Sequence, residues 1–313
     1  MNKLHKPLFS LSIAFLFTLS SLFAVQTDPV GYTTLSGNAG GYVVTLPLAK
    51  SAVFEGTVNA EGTTVLNFDS TVPTLTGANY VQVMDGALMG TVVDIVSSTT
   101  SSVTLSSSLS VASGVAISIR PHTTIEDLGT NFTSGTSVTV YNSDGTTNSA
   151  TYVSNFLGSF WDGDYTEAIY PGEGVVIIST GPFEIINVGA VAVDPVMFSA
   201  AAGRVNIIGA NSPSAADANA IFGTLAPGTS VSVYTNGGSL TSPTVYSRAP
   251  AFLGGDWSPD LSELTTLGDD IAVVVIPTED EAVKLPATVA VSYTHLRAHE
   301  TRHDLVCRLL LEK

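Results

Sequence analysis

Two histidines and a glutamate near the C-terminus have the spacing of a zinc protease. Residues 299–303 read HETRH. In an H-E-x-x-H helix, the two histidines bind one zinc ion while the glutamate acts as general base. The chemistry would be metal-assisted peptide hydrolysis, provided that this segment belongs with the rest of the chain.

The segment around this motif, residues 291–313, differs in composition from everything before it. It holds three of the five histidines, four of the 11 basic residues and the single cysteine. Back-translation of residues 291–301 and 304–313 gives two strings that resemble the ends of a sequencing adapter, in the right order and in one reading frame. We therefore interpret residues 291–313 as an adapter-derived tail and set the zinc motif aside.

Carboxylates recur in two aligned loops with the pattern W-x-x-D-x-x-E-x4-G-[ED]. Calcium is bound by clustered carboxylate and carbonyl oxygens, so these residues are candidate calcium ligands. Calcium is the single cofactor that the sequence suggests. The alternative is a solvated turn in which Asp caps backbone amides. The candidate ligands are Asp164, Glu167 and Glu173 in the first loop and Asp260, Glu263 and Asp269 in the second.

The same carboxylates raise the question of glycoside hydrolysis. That reaction needs an acid and a second carboxylate on either side of the scissile bond, and Asp162, Asp164, Glu167 and Glu173 supply candidates. Duplication of the loop favours a structural device instead, because tandem modules rarely need the same catalytic pair twice. We therefore predict that the protein is not an enzyme.

Aromatic residues at matching positions are candidate carbohydrate contacts. Trp161 and Trp257 open the two acidic loops, while Tyr141 and Tyr234 end two equivalent strands. Exposed rings on a β-sandwich can stack on sugars, whereas buried tryptophans and strand-end tyrosines pack on a core. Both interpretations remain open for all four residues.

The N-terminus has the features of an export signal. A basic MNKLHKP segment precedes a short apolar run, and Ala24 is a small residue suited to cleavage. The run is too short for a comfortable membrane span, so we expect no membrane span after signal removal and a secreted or cell-surface location.

Residues 25–290 are strongly acidic. They hold 24 Asp and Glu against five Lys and Arg, a net charge of −19, with one histidine, His122, and no cysteine. Binding to nucleic acid needs clustered cations and is excluded. Disulfides are impossible, and histidine- or cysteine-based catalysis lacks its residues unless His122 acts alone. We interpret His122 as a domain-boundary residue.

An internal repeat organises the second half of the chain. Residues 128–141 recur as 222–234, and residues 156–178, which begin FLGSFW, recur as 252–275, which begin FLGGDW. DPVGY at Asp28 is echoed by DPVMF at Asp194, which suggests a lead strand for each copy. Residues 53–120 read as a small β-barrel or sandwich inserted after the first lead.

Period-two alternation, as in SVTVY and SVSVY, predicts β-strands throughout. We predict an all-β, multi-module fold of sandwich- or barrel-like units with a tandem repeat. The predicted boundaries are a signal peptide at 1–24, an N-terminal β module at 25–120, repeated β modules at 121–193 and 194–290, and the adapter-derived tail at 291–313.

The TDPVGY segment at Thr27 and the repeated W…D…G…VVI element resemble those of a family of secreted β-rich proteins of unknown function common in Verrucomicrobia. The resemblance covers most of residues 27–290, and Pro171–Gly172 is present only in the first copy. It implies export and a β fold but no activity. We therefore expect a secreted structural or adhesion protein that binds a polysaccharide or surface protein. The alternatives are a carbohydrate-binding protein and, third, a polysaccharide-degrading enzyme.

Overall fold

The computed structural model describes residues 30–209, 217–234, 239–241, 243–264 and 272–287. This part of the chain is nearly all β, with several sheets and one short α-helix, so the predicted fold class is confirmed. The alternating sequences form strands with alternating burial. Val138 and Val140 in the first repeat, and Val231 and Val233 in the second, point into cores while their neighbours are only half-buried.

The strands before and within the insertion are β1 (Val30–Gly37), β2 (Gly40–Thr45), β3 (Leu48–Ala49), β4 (Phe54–Thr57), β5 (Val65–Asn67), β6 (Asn79–Val83), β7 (Val92–Ser98), β8 (Ser102–Leu105) and β9 (Ala116–Pro121). The first repeated region contains β10 (Thr123–Thr124), a 3-10 helix (Glu126–Leu128), β11 (Ser137–Tyr141), β12 (Thr147–Asn155), β13 (Gly158–Gly163), β14 (Ala168–Ile169), β15 (Gly174–Ser179) and β16 (Phe183–Val191).

The second repeated region contains β17 (Val196–Ala200), β18 (Asn206–Gly209), α1 (Ala218–Phe222), β19 (Ser230–Tyr234), β20 (Thr244–Arg248), a 3-10 helix (Ala251–Leu253), β21 (Trp257–Ser258), a 3-10 helix (Leu261–Glu263), β22 (Ala272–Ile276) and β23 (Glu281–Leu285).

The insertion forms a six-stranded antiparallel sheet in the order β4-β9-β6-β7-β8-β5. Its core is built from β-branched, leucine and aromatic side chains that are almost fully buried, among them Leu66, Val81, Val103 and Ile119. We call these strands the inserted module.

The two repeats have the same topology. The first sheet has the order β13-β12-β11-β15-β2, and the second has the order β21-β20-β19-β22-β18, each strand taking the place of its counterpart. Lead strand β1 pairs with β16, and its counterpart β17 pairs with β23. We call the two units the first and second repeat modules.

The turns before the matching strands also use the same hydrogen bonds. The amide of Gly135 donates to the carbonyl of Tyr152, and that of Gly228 donates to the carbonyl of Arg248. Both glycines have φ near +90°, where an L side chain is strained. Thr180, which follows β15, and Thr278, which follows β22, each donate a hydroxyl hydrogen bond to the carbonyl of the residue before the turn glycine.

Strand pairing divides residues 30–120 between two units. Strands β1, β2 and β3 pair with β16 and β15, which follow the insertion, while β4 to β9 form their own sheet. The first repeat module therefore takes strands from both sides of residue 120. The predicted signal peptide and the tail at 291–313 lie outside the described residues.

The two repeat modules pack through the outer faces of their five-stranded sheets. Val43 of β2, Ile207 of β18 and Ala272 of β22 form the buried centre of this contact, and Tyr141 and Tyr234 pack against it. Strand β15 lies against β18, and their counterparts β22 and β2 also meet. Because matching residues occupy both sides, the contact is pseudo-symmetric, like the interface of a two-fold dimer.

Among the described residues, the structure has no helix that is both long and apolar enough to cross a membrane.

Candidate functional site

The first acidic loop does not gather its three predicted calcium ligands in one environment. Asp164 is exposed, Glu167 is half-buried, and Glu173 is 4% exposed at the start of β15. A backbone hydrogen bond of 3.1 Å from the amide of Glu167 to the carbonyl of Asp164 closes the turn between them. Glu167 and Glu173 are near enough to influence each other electrostatically.

The second acidic loop is built as a capped turn. Asp260 precedes the 3-10 helix Leu261–Glu263 and accepts a 2.9 Å hydrogen bond from the amide of Ser262. This hydrogen bond lowers the pKa of the Asp260 carboxyl below its ordinary value. Glu263 is exposed, and Asp269 lies outside the described residues. Asp260 thus has the capping role that was the alternative to calcium binding.

Within the described ranges, no three His, Cys, Asp or Glu side chains converge on a point that could hold a metal ion. Asp269 of the second acidic loop lies outside these ranges. Calcium binding stays a prediction.

The predicted sugar-contacting aromatics are all packed inside the molecule to some degree. Trp161 is 7% exposed, contacts Phe132 and Tyr152, and donates a 3.0 Å hydrogen bond from Nε1 to the carbonyl of Gly129. Trp257 is half-buried against the second core, and its Nε1 has no hydrogen-bond partner among the described residues. Tyr141 and Tyr234 lie at the contact between the repeats. Packing therefore uses much of the ring surface that a sugar would need.

Four other apolar side chains, two Phe and two Leu, face solvent at matching positions of the two repeats. Phe156 and Leu157 form the tip of the β12–β13 hairpin and are 95% and 78% exposed. Phe252 and Leu253, in the matching connection between β20 and β21, are 84% and 66% exposed. We call these two pairs the Phe–Leu tips. The sequence repeats Phe-Leu-Gly at both places, which marks the positions as equivalent. The alternation of apolar and polar residues does not show whether such a position is exposed or buried.

Each pair of the three modules is joined by a hydrogen bond. Tyr170 of the first repeat donates a 2.5 Å hydrogen bond to Asp94 of the inserted module. The amide of Met197 in the second repeat donates to the carbonyl of Gly90 in the inserted module, at 2.9 Å. The amide of Gly209 in the second repeat donates to the carbonyl of Gly172 in the first, at 3.1 Å.

These three contacts surround a cavity of about 430 Å³, which we call the junction cavity. Its walls come from β7 and the segment after β8, from residues 142–144 and 167–173 of the first repeat, and from residues 196–199 of the second. Its volume is within the range of small-molecule sites. Four carboxylates line it, those of Asp94, Asp144, Glu167 and Glu173.

His122, the single histidine of residues 25–290, supports the cavity from behind. Its side chain is buried, lies 4.7 Å from the Tyr80 ring and 4.8 Å from the Tyr170 ring, and its Nε2 is 2.8 Å from Asp94 Oδ1. Since a carboxylate only accepts hydrogen bonds, Nε2 is the donor. Nδ1 has no partner among the described residues. His122 thus holds a cavity-lining carboxylate in place, a role that its position between modules did not reveal.

Two carboxyl groups of the cavity are shifted in opposite directions. Burial alone would raise the pKa of Asp94, but hydrogen bonds from His122 and Tyr170 lower it below its ordinary value. Burial raises the pKa of Glu173 to about 8, with a smaller contribution from the nearby Glu167, although the Tyr170 amide opposes the shift. Burial and the Asp94 carboxylate raise the pKa of the Tyr170 hydroxyl well above its ordinary value. Asp94 is therefore a stable anion, while Glu173 lacks a compensating charge.

Gly172 makes the burial of Glu173 possible. Its φ of +79° turns the chain between Pro171 and Glu173, and a Cβ at this position would lie 2.0 Å from Leu285 Cδ1 of the second repeat. Glu173 itself forms a β-bridge with Ile208. The Pro-Gly of the first copy therefore fits a contact between modules.

Comparison of the chain with protein-family models, with curated proteins and with solved structures finds no match.

Proposed function

We propose that this protein is a non-enzymatic, exported structural or adhesion protein that attaches to a partner surface through its repeat modules. The observation that carries the proposal is the duplication of the Phe–Leu tips. All four side chains are more than 60% exposed at equivalent positions of two modules. Single exposed apolar side chains are common on protein surfaces, but adjacent Phe and Leu side chains exposed at equivalent positions of two modules are typical of binding surfaces.

The tips supply enough energy for attachment. Complete burial of one Phe or Leu side chain contributes about 1.5–3 kcal/mol, which corresponds to about tenfold or more in affinity. Two linked sites that engage together raise the apparent affinity further, without any new contact. The net charge of −19 for residues 25–290 disfavours anionic surfaces. A neutral, partly apolar partner, such as a surface protein, fits best.

Adsorption to surfaces of defined chemistry tests this proposal. Wild type is compared on methyl-terminated and hydroxyl-terminated layers with a chain carrying Phe156→Ser, Leu157→Ser, Phe252→Ser and Leu253→Ser. The matched control is Tyr32→Ser, which removes a ring of 76% exposure from strand β1. We expect the tip variant to lose adsorption to the methyl layer and the control to keep it. Equal adsorption by all three proteins would overturn the proposal.

A carbohydrate-binding role is the second candidate, because Phe156 and Phe252 are exposed rings at matching positions of the two repeats. Rings stack on sugars, whereas leucine does not. Affinity electrophoresis through a panel of polysaccharides, followed by sizing of the glycan, tests it. Retardation that is lost with Phe156→Ser and Phe252→Ser but kept with Leu157→Ser and Leu253→Ser would favour sugar binding. Shortened glycan would contradict the non-enzymatic role.

A further inference from the structure

The junction cavity holds more carboxyl groups than the cations of the described residues can pair with. Of its four carboxylates, Asp94 has partners in His122 and Tyr170, and Asp144 is near Arg204 at the rim. Glu167 and Glu173 have no cationic partner among the described residues, and no described Lys, Arg or His side chain lines the cavity. Two carboxyl groups thus line the cavity without a counter-charge among the described residues.

Glu173 points to a ligand by its hydrogen bonding. It is 4% exposed and lines the cavity, and its Oε2 accepts a 2.8 Å hydrogen bond from the amide of Tyr170. This is the single hydrogen bond that the Glu173 carboxyl group receives from the described residues. A carboxyl group so far removed from bulk water with one hydrogen bond and no counter-charge is unfavourable, and proteins retain such groups mainly where something binds.

The arrangement fits an organic cation better than a metal ion. A metal ion needs several oxygens at about 2.0–2.6 Å from one point, whereas the described acidic residues offer no such convergence. The carboxylates are instead distributed around a volume of about 430 Å³. The remaining wall is amphipathic, with hydroxyl groups from Ser106 and Ser199 and apolar surface from Met197, which lies on the same face of β17 as Ser199.

We propose that the junction cavity binds a small organic cation, with Glu173 and Glu167 as counter-charges for its ammonium group. The serine hydroxyls bind further polar atoms of the ligand, and the Met197 side chain contacts its carbon skeleton. This site is independent of the Phe–Leu tips and of the adhesion that we propose for them. Because all three modules contribute walls, ligand binding also stabilises their relative arrangement.

Isothermal titration calorimetry of residues 25–290 tests the site with four probes. Spermidine and glucosamine carry the ammonium group, glucose is the neutral counterpart of glucosamine, and calcium chloride represents a metal ion. We expect spermidine or glucosamine to bind with a 1:1 stoichiometry and glucose not to bind. Binding by calcium alone, or by none of the probes, would overturn the proposal.

Three variants locate the binding. Glu173→Gln and Glu167→Gln should each weaken binding of the ammonium probe by about tenfold or more, the usual loss when one partner of a buried charge pair is removed. Glu184→Gln, which removes an exposed acid on β16, should leave it unchanged. Equal losses in all three variants would indicate general charge attraction and contradict the site. Glu167 is only half-buried, so its variant gives an answer even if Glu173→Gln folds poorly.

Discussion

The hydroxyl of Tyr170 and the carboxylate of Asp94 lie 2.5 Å apart, although 76 residues separate them in the chain. This hydrogen bond joins the first repeat module to the inserted module beside the junction cavity. Hydrogen bonds to charged groups contribute about 1.5–3 kcal/mol. The Asp94 carboxylate is therefore one of the groups that hold the modules together.

Removing the Tyr170 hydroxyl tests this link. We expect Tyr170→Phe to lower the free energy of unfolding by about 1.5–3 kcal/mol, because Asp94 loses a partly buried partner. Tyr165→Phe is the control, since Tyr165 is 39% exposed and its hydroxyl makes no described hydrogen bond. Urea denaturation measures both. A double-mutant cycle with Asp94→Asn should show a coupling energy well above zero, and additive effects would argue against the link.

The raised pKa of Glu173 predicts a dependence of stability on pH. Folding raises the pKa of this carboxyl group from about 4.5 to about 8, so its proton stabilises the folded state. The stabilisation is complete only below the pKa of the unfolded chain, about 4.5. That contribution is lost as the pH rises through 8. We therefore expect Glu173→Gln to become increasingly more stable than wild type from pH 5 to pH 9. At about 1.4 kcal/mol per pKa unit, the upper limit of this gain is about 4–5 kcal/mol.

Thermal unfolding across this pH range measures the effect, and the comparison at pH 5 provides the internal control. A constant difference between the two proteins at every pH would contradict the burial of an uncompensated carboxyl group at Glu173.

The two tryptophans should respond differently to the same substitution. Trp161→Phe removes a hydrogen bond to the Gly129 carbonyl, whereas Trp257→Phe removes an N–H that has no described partner. Trp161 is also more deeply buried than Trp257, so its substitution loses more packing as well. We expect Trp161→Phe to cost about 1–2 kcal/mol more in unfolding free energy, measured by denaturant titration. Equal costs would mean that the hydrogen bond does not explain why Trp161 is retained.

Tyr141 and Tyr234 should affect the contact between the repeats rather than sugar binding. Both rings pack against the cluster formed by Val43, Ile207 and Ala272. We expect Tyr141→Ala or Tyr234→Ala to destabilise the protein by about 2–4 kcal/mol, as for other large-to-small changes in packed positions. Tyr32→Ala, at 76% exposure, is the control. Loss of polysaccharide retention without loss of stability would restore the two tyrosines as sugar contacts.

The sequence predicts the all-β class because alternating β-branched residues leave few other structures open. Positions such as Val138 and Val231 are buried as the alternation requires. The junction cavity could not be predicted from the alternation of residues along the strands. Asp94 lies within an ordinary strand, and only the packing of the inserted module brings it to Tyr170. Glu173 was a candidate ligand on the basis of charge, but its burial depends on Ile208 and Leu285 of another module.

The central claim, attachment through the Phe–Leu tips, is tested most directly by adsorption to a methyl-terminated surface. We predict that loss of all four tip side chains lowers the equilibrium constant for adsorption by about a hundredfold or more, as the burial of several apolar side chains requires. Tyr32→Ser should change it by less than about threefold, a difference of roughly 0.6 kcal/mol. Equal adsorption by the tip variant and wild type, with the fold intact, would contradict the account.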